Sequence, residues 1–396
     1  MTWVPVDAGR PVPERILRWA ARDPDRPAIV DGPLTLTYGD FVARVGTLVS
    51  RLREYGVGRD SVVAVYLPRC AELIVAATAI LVAGAAYLPV DMNQEFPVTR
   101  RMLRESGAQR LVTMSKLWSI NGDAGPVPLY VDDLRPVRDT SMAPAPPDPS
   151  ALAYLTYTEG STGVLIEHAG LTNLVDWYGS CHQVTPADRM TQLSSPASDR
   201  FALEVWPCLA HGATLHVVDQ RLVAAPARLT QWLNRTGITL CYLPGDLAEQ
   251  TLREPWPEGS RLRSMLVDSF AGALPSDLPF RLYNNYGHIE CTVVATSGEI
   301  VPGTSGQPPI GRPIQGVTAY VLGAGLEPVG DDQPGQLYLT GIGLARGYVG
   351  PTGGVPARFV SDPFSEKAGA RMYATGDLVR RDSAGMLYVL GRAASP

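Results

Sequence analysis

The chain has 396 residues, 45% apolar and 18% charged, a composition that excludes intrinsic disorder and calls for two or three packed units around a large core. A net charge of −5 without a basic block gives neither a nucleic acid nor an anionic membrane an electrostatic footing. Five cysteines (Cys70, Cys181, Cys208, Cys241, Cys291), odd in number and never spaced CxxC, exclude a disulfide framework and a zinc site and fit reduced thiols in a cytoplasmic protein.

In chain order, MTWVPVDAGRPVPERI lacks the basic-then-apolar order of a secretion signal. In FVARVGTLVSRLREYG, Phe41, Val45, Leu48 and Leu52 recur at helical spacing and Gly56 follows as a stop. SVVAVYLP (61–68) is a short β-branched strand. The run LIVAATAILVAGAAYL is too short, and too rich in Ala and Gly, for a membrane span; it reads as a buried helix entering the strand AYLPVD. A helix through Arg101 and the strand RLVT complete an alternation that implies a parallel sheet covered on both faces. RDTSMAPAPPDPS (138–150) is a proline-rich surface connection. The strand ALAYLTYT then opens a second series through EVWPCLAHG, ATLHVVD, LTQWLN, TLCYLP, SMLVD and FRLYNNYG. From about residue 311, short strands split by glycine turns (TAYVLG, GQLYLTG, RMYATGD, GMLYVLG) form a small antiparallel unit. The fold class is α/β: two doubly wound subdomains, 1–150 and 151–310, then a β-barrel-like subdomain, 311–396.

Between the two series lies YTEGSTGVLIEHAG (157–170). A strand, then Gly-Ser-Thr-Gly, then a helix from about Leu171 is a context in which backbone amides converge on an anion. Thr158, Ser161 and Thr162 add hydroxyl donors, and Gly160 and Gly163 permit close approach. Taken alone the tetrapeptide is more often a plain turn, and it lacks the GxxxxGK[ST] spacing. Glu159 opposes a phosphate: a carboxylate about 4 Å away costs on the order of 4 kcal/mol at a protein-like dielectric. Either that side chain points away or a triphosphate binds poorly. Only Lys116 and Lys367 are lysines; the other thirty-two basic residues are arginines, so lysine chemistry has two candidates.

GQLYLTGIGLARGYVG, RFVSDPF, RMYATGDLVRR and YVLGR, preceded by LTYGDF, LVAGAAYLPVD, the GSTG loop and NNYGHIE, resemble the successive core motifs of adenylation domains in nonribosomal peptide synthetases, relatives of acyl- and luciferin-activating ligases. The resemblance spans nearly the whole chain. It implies the N-terminal core of an adenylate-forming enzyme, which joins a carboxylate to AMP from ATP, releases pyrophosphate and hands the acyl group to a carrier-protein thiol.

Position by position, the resemblance makes Thr158, Gly160, Ser161, Thr162 and Gly163 the phosphate loop. Glu290 becomes the ligand for Mg²⁺ on the ATP phosphates, and Tyr286 the ring stacked on adenine, with Asn285 beside it. Asp377 becomes the carboxylate on the ribose hydroxyls, and Arg392 an arginine near ribose and phosphate. Asp199 matches the aspartate that pairs with an α-ammonium group, a helix N-cap being its competing reading. The remaining amino-acid pocket positions are Arg200, Leu203, Tyr242, Leu266, Asp268, Asn285, Val293 and Val294. Arg200 is bulky for its place; it reads a polar substrate side chain or, the favoured alternative, pairs with Asp268 and plugs the pocket. Carrier protein and neighbouring synthetase domains are the implied partners. Some members also work with an MbtH-like helper protein, though no residue here demands one.

Four departures fall on the chemistry. The Pro-Lys-Gly that continues the family loop is missing, so no family lysine remains and no catalytic residue is assigned. DSFAG replaces an expected Gly-Gly-Glu. His288-Ile289 stands for the Pro-Thr of a YGPTE-like motif, which removes a hydroxyl donor; His288 donates in its place or, the favoured alternative, is an ordinary surface histidine. The chain ends at GRAASP, with Ala394 at the hinge-aspartate position and no C-terminal lid. Two readings follow: an amino-acid adenylation core with impaired or lost activity, or an inactive adenylation-like scaffold or docking domain.

Overall fold

The computed structural model describes residues 7–118, 125–134, 148–157, 162–268, 270, 274, 277–301, 307–349 and 358–393. Contacts divide the chain into two units, Met1–Val218 with Ala345–Gly353, and Asp219–Leu344 with Gly354–Pro396.

The first unit holds a seven-stranded sheet in the order Gly347–Val349, Gly163–Glu167, Leu152–Tyr157, Ala86–Pro89, Val62–Tyr66, Arg110–Thr113, Val127–Tyr130. From Leu152–Tyr157 onward all pairings are parallel, as strands alternating with helices require. Ala71–Val82, one of the covering helices, is buried at every position except Glu72, which explains its uninterrupted apolar sequence. Tyr38–Glu54 shows the opposite economy. Its apolar face is buried at Phe41, Val45, Leu48 and Leu52, and its start is fixed by a reciprocal Thr37–Asp40 capping box. The same unit contributes the strands Arg189–Gln192, Thr214–Val217, Pro27–Asp31 and Leu34–Thr37, the first three parallel and the last antiparallel. The helix Arg200–Ala210 is buried from Phe201 onward despite Pro207.

In the second unit Leu240–Leu243, Ser264–Val267 and Arg281–Tyr286 run parallel, with Thr296–Ile300 and Arg312–Pro313 added antiparallel. An antiparallel sheet follows, in the order Val317–Leu322, Gly335–Gly341, Arg371–Arg381, Phe359–Ser361, with Leu387–Arg392 also paired to Arg371–Arg381. Its inner face buries Val321, Leu337, Leu339, Tyr373, Val379 and Leu387 together with Cys291, Ala295 and Ile310.

One expectation changes. The GSTG segment does not feed a helix from Leu171. The chain forms the strand Gly163–Glu167, antiparallel to Leu152–Tyr157 with Tyr157 opposite Gly163, and the helix follows this strand directly, already beginning at His168. VLIE, read as loop continuation, is a strand because its apolar side chains have a sheet edge to cover. Among the described residues no helix is long and apolar enough to cross a membrane.

Candidate functional site

The strand Arg281–Tyr286 ends the parallel series of the second unit, and the chain reverses sharply after it. Gly287 is obligatory there: a Cβ would overlap the Val293 carbonyl oxygen and lie 2.9 Å from the Ala295 nitrogen. The reversal places Thr292 (φ 55°) and Val293 (φ 71°) in the left-handed region, where β-branched residues are strained by about 1–3 kcal/mol each. Thr292 Oγ1 anchors the turn on the Gly343 carbonyl at 2.7 Å. The turn carries Glu290, buried on a single 3-10 turn, and buries Val293 and Val294.

Asp377 comes from Arg371–Arg381, where the register against Gly335–Gly341 shifts and Gly376 has φ +77°. Such a bulge re-aims a side chain. Thr375 Oγ1 holds it in shape, donating to the Leu337 carbonyl at 2.9 Å and accepting from the Asp377 amide at 3.0 Å. Arg392 stands directly opposite Asp377 on the neighbouring strand and donates from Nη1 to Oδ1 at 2.6 Å. The other oxygen, Oδ2, accepts a short hydrogen bond from the Tyr286 hydroxyl and lies 3.2 Å from His288 Nε2. His288 Nε2 is also 3.1 Å from the Tyr286 hydroxyl, and its Nδ1 is 3.5 Å from the Tyr373 hydroxyl. Burial opposes the Asp377 charge, but bonds from His288, Tyr286 and Arg392 outweigh it and hold the carboxyl at about 2. Burial, and then the Asp377 charge, push the Tyr286 phenol far up.

The structure thus gathers three of the four residues assigned to nucleotide binding, Tyr286, Asp377 and Arg392, into one cluster. The fourth, Asn285, is buried beside them in sequence. Its Oδ1 accepts from Ser297 Oγ at 2.7 Å, and its Nδ2 has no acceptor among the described residues. His288 is the residue whose favoured sequence reading the structure overturns. It is no ordinary surface histidine, with a side chain only 23% exposed and bonded on both ring nitrogens. The signal was present, since His288 is one of the positions where the motif departs from the family.

Of the pocket positions, Leu266 is buried within its strand, and Asp268 just beyond that strand accepts from Tyr242 Oη at 2.7 Å and the Gly245 amide at 3.1 Å. In the first unit Asp199 takes the N-cap position of Arg200–Ala210 but makes no side-chain cap bond. Instead it accepts from Arg200 Nη1 at 2.9 Å, and Leu203 is buried one turn on. Thr162 is buried and Gly163 packs tightly against Val349 and Tyr157. Thr158, Glu159, Gly160 and Ser161 lie outside the described residues. Among the described residues no three or more His, Cys, Asp or Glu side chains gather in a metal-binding group.

The class is shown by a family model, that of the AMP-binding enzymes. The model of that family matches residues 16–349, and the chain belongs to it. More particularly, it is an N-terminal core of the nonribosomal peptide synthetase adenylation type. It is 39% identical over 386 residues to a linear gramicidin synthase of Brevibacillus parabrevis, covering 94% of this chain and 8% of that protein. It is 36% identical to phosphinothricin tripeptide synthetase PhsB of Streptomyces viridochromogenes, covering 96% and 33%. The chain therefore spans a small part of these relatives. Among solved structures it matches the nonribosomal peptide synthetase FmoA3 in an AMPPNP-bound form with a TM-score of 0.86 and 29% identity, over 98% of this chain and 43% of that one. The N-terminal subdomain of Klebsiella oxytoca NpsA shares the fold, with a TM-score of 0.82 at 22% identity over 97% and 100% of the two chains.

Proposed function

We propose that the chain is the core of an amino-acid adenylation domain of nonribosomal peptide synthesis, forming aminoacyl-AMP and pyrophosphate from an amino acid and ATP in a cytoplasmic assembly. The observation that carries this reading is the Asp377 cluster: a carboxylate kept ionised between an arginine and a phenol-bearing ring. An ionised carboxylate accepts from both hydroxyls of a ribose, and the Tyr286 ring offers a face to a purine. The unpartnered Nδ2 of buried Asn285 fits a ligand oxygen or ring nitrogen.

In this reading Asp199 takes the α-ammonium group, and Arg200, Leu203, Tyr242, Leu266, Asp268, Val293 and Val294 line the side-chain pocket. Thr158, Gly160, Ser161, Thr162 and Gly163 face the phosphates. Glu290 supplies one oxygen to Mg²⁺; with no carboxylate cluster among the described residues, the remaining ligands are phosphate oxygens and water, an arrangement that suits this cation. When bound, the cation neutralises phosphate charge. The carrier-protein thiol of a synthetase module is the acceptor of the acyl group, and 1–150, 151–310 and 311–396 remain the functional divisions.

Activity is impaired in this reading. The strand pair closes at Tyr157 opposite Gly163, which leaves five residues for the phosphate loop and none of them a lysine. Losing one positioned donor commonly costs about 3–4 kcal/mol of transition-state stabilisation. The same early closure favours the second reading, an inactive scaffold domain. Amino-acid-dependent ATP–pyrophosphate exchange decides between them. A slow exchange that rises with one amino acid supports the enzyme, whereas background exchange by a chain that still binds AMP leaves the scaffold.

A further inference from the structure

Asp377 has two oxygens and about four acceptor directions, and the cluster uses most of them. Oδ1 takes Arg392, while Oδ2 takes the Tyr286 hydroxyl and faces His288 Nε2. A vicinal diol grips a carboxylate by donating to both oxygens, so Oδ2 has to yield an acceptor position first. Tyr286 alone leaves one. His288 takes it, and the imidazole is held there from behind by Tyr373, whose own ring packs on Phe359 at 5.5 Å. The proline of the family motif has no donor at this place.

We propose that His288 sets the nucleotide selectivity of this site by occupying the Asp377 oxygen that a ribonucleotide's 2′,3′-diol needs. His288 is an internal competitor for the diol. Removing its side chain frees the acceptor position while the bonds of Arg392 and Tyr286 to Asp377 remain, and the gain appears only for ligands that carry the diol. This inference rests on the reading of Asp377 as the ribose carboxylate.

The test is calorimetry on the intact chain with AMP and with 2′,3′-dideoxy-AMP, monophosphates that lack the β- and γ-phosphates and differ from each other only in the diol. The variants are His288→Ala, His288→Pro and Asp377→Ala. A hydrogen bond to a charged group, once released, predicts AMP binding about tenfold tighter in both His288 variants, with the dideoxy ligand unchanged. Equal or weaker AMP binding by the variants overturns the proposal, as does an equal gain for both ligands. If Asp377→Ala does not weaken AMP binding, or no chain binds AMP, the ribose reading itself fails and takes the proposal with it. A readout on the unaltered chain guards against misfolded variants: AMP should shift the His288 side-chain ¹⁵N resonances, and dideoxy-AMP should not. AMP binding that leaves those resonances in place also overturns the proposal.

Discussion

Asp377 takes one donor, Arg392, from its paired strand and two, Tyr286 and His288, from the end of Arg281–Tyr286 and the turn after it, and its carboxyl sits at about 2 against an ordinary 3.8. A folded value below the unfolded one means stability that is present above about pH 4 and lost as the pH falls through 2. The size is at most about 2 kcal/mol, reduced because the Arg392 side chain is 65% exposed and its charge is screened. Asp377→Asn is therefore expected to lower the urea midpoint at pH 6 but to flatten its decline between pH 4 and 2; an unchanged acid slope contradicts the assignment. Three members of this cluster were legible in the sequence because a motif order fixes a residue's partners in advance. His288 was legible only as the less favoured of two readings, a donor, because the motif supplied no partner for a histidine at a proline's place. Only the folded turn at Gly287 shows which carboxylate it meets.

At the scale of single elements, the helix Arg200–Ala210 carries a different kind of titrating group. Glu204 is buried, and burial pushes its carboxyl up to about 7, even though the Leu193 and Ser194 amides each donate to it at 2.9 Å. A folded value above the ordinary 4.5 reverses the sign: stability present below about pH 4.5 is lost as the pH rises through 7, by about 3 kcal/mol in all. Urea midpoints at pH 5.5 and 8.5 should differ in the unaltered chain and converge in Glu204→Gln; a midpoint that rises with pH refutes this. The strand Gly163–Glu167 carries a second prediction. A Cβ on Gly163 would lie 2.5 Å from Val349 Cγ1 and 2.9 Å from Tyr157 Cζ. Gly163→Ala should cost about 1–3 kcal/mol by overpacking, measured by thermal unfolding, and an unchanged midpoint would show that Val349 yields freely. Most strands and helices were legible, since apolar periodicity reports burial. This strand was not: five residues are too few to reveal a period, and the glycine-rich context suggested a loop.

Across the whole molecule, the chain leaves the first unit at Val218 and returns to it for Ala345–Gly353 alone. Sequence texture cannot show such a return, because GLARGYVG reads as one more glycine-split β segment, and the pairing that recruits it is some 180 residues away. The return is built from several bonds. Gly347–Val349 pairs antiparallel with Gly163–Glu167, and the Arg346 amide donates to the Leu165 carbonyl at 2.8 Å. Arg346 Nε bonds Glu167 at 2.8 Å, while its Nη2 bonds the Ser150 carbonyl. Both partners of the ion pair are partly exposed, which limits its worth to about 1 kcal/mol or less. That small term has a specific address. If the segment is a local member of the first unit, Arg346→Ala should raise amide exchange in Gly163–Glu167 by up to about fivefold, the equivalent of that energy, and leave Gly335–Gly341 unchanged. Hydrogen exchange read by mass spectrometry separates the cases, because the two strands fall in different peptides. Equal acceleration in both strands would mean that Arg346 supports global stability, and the segment would then belong to neither unit in particular.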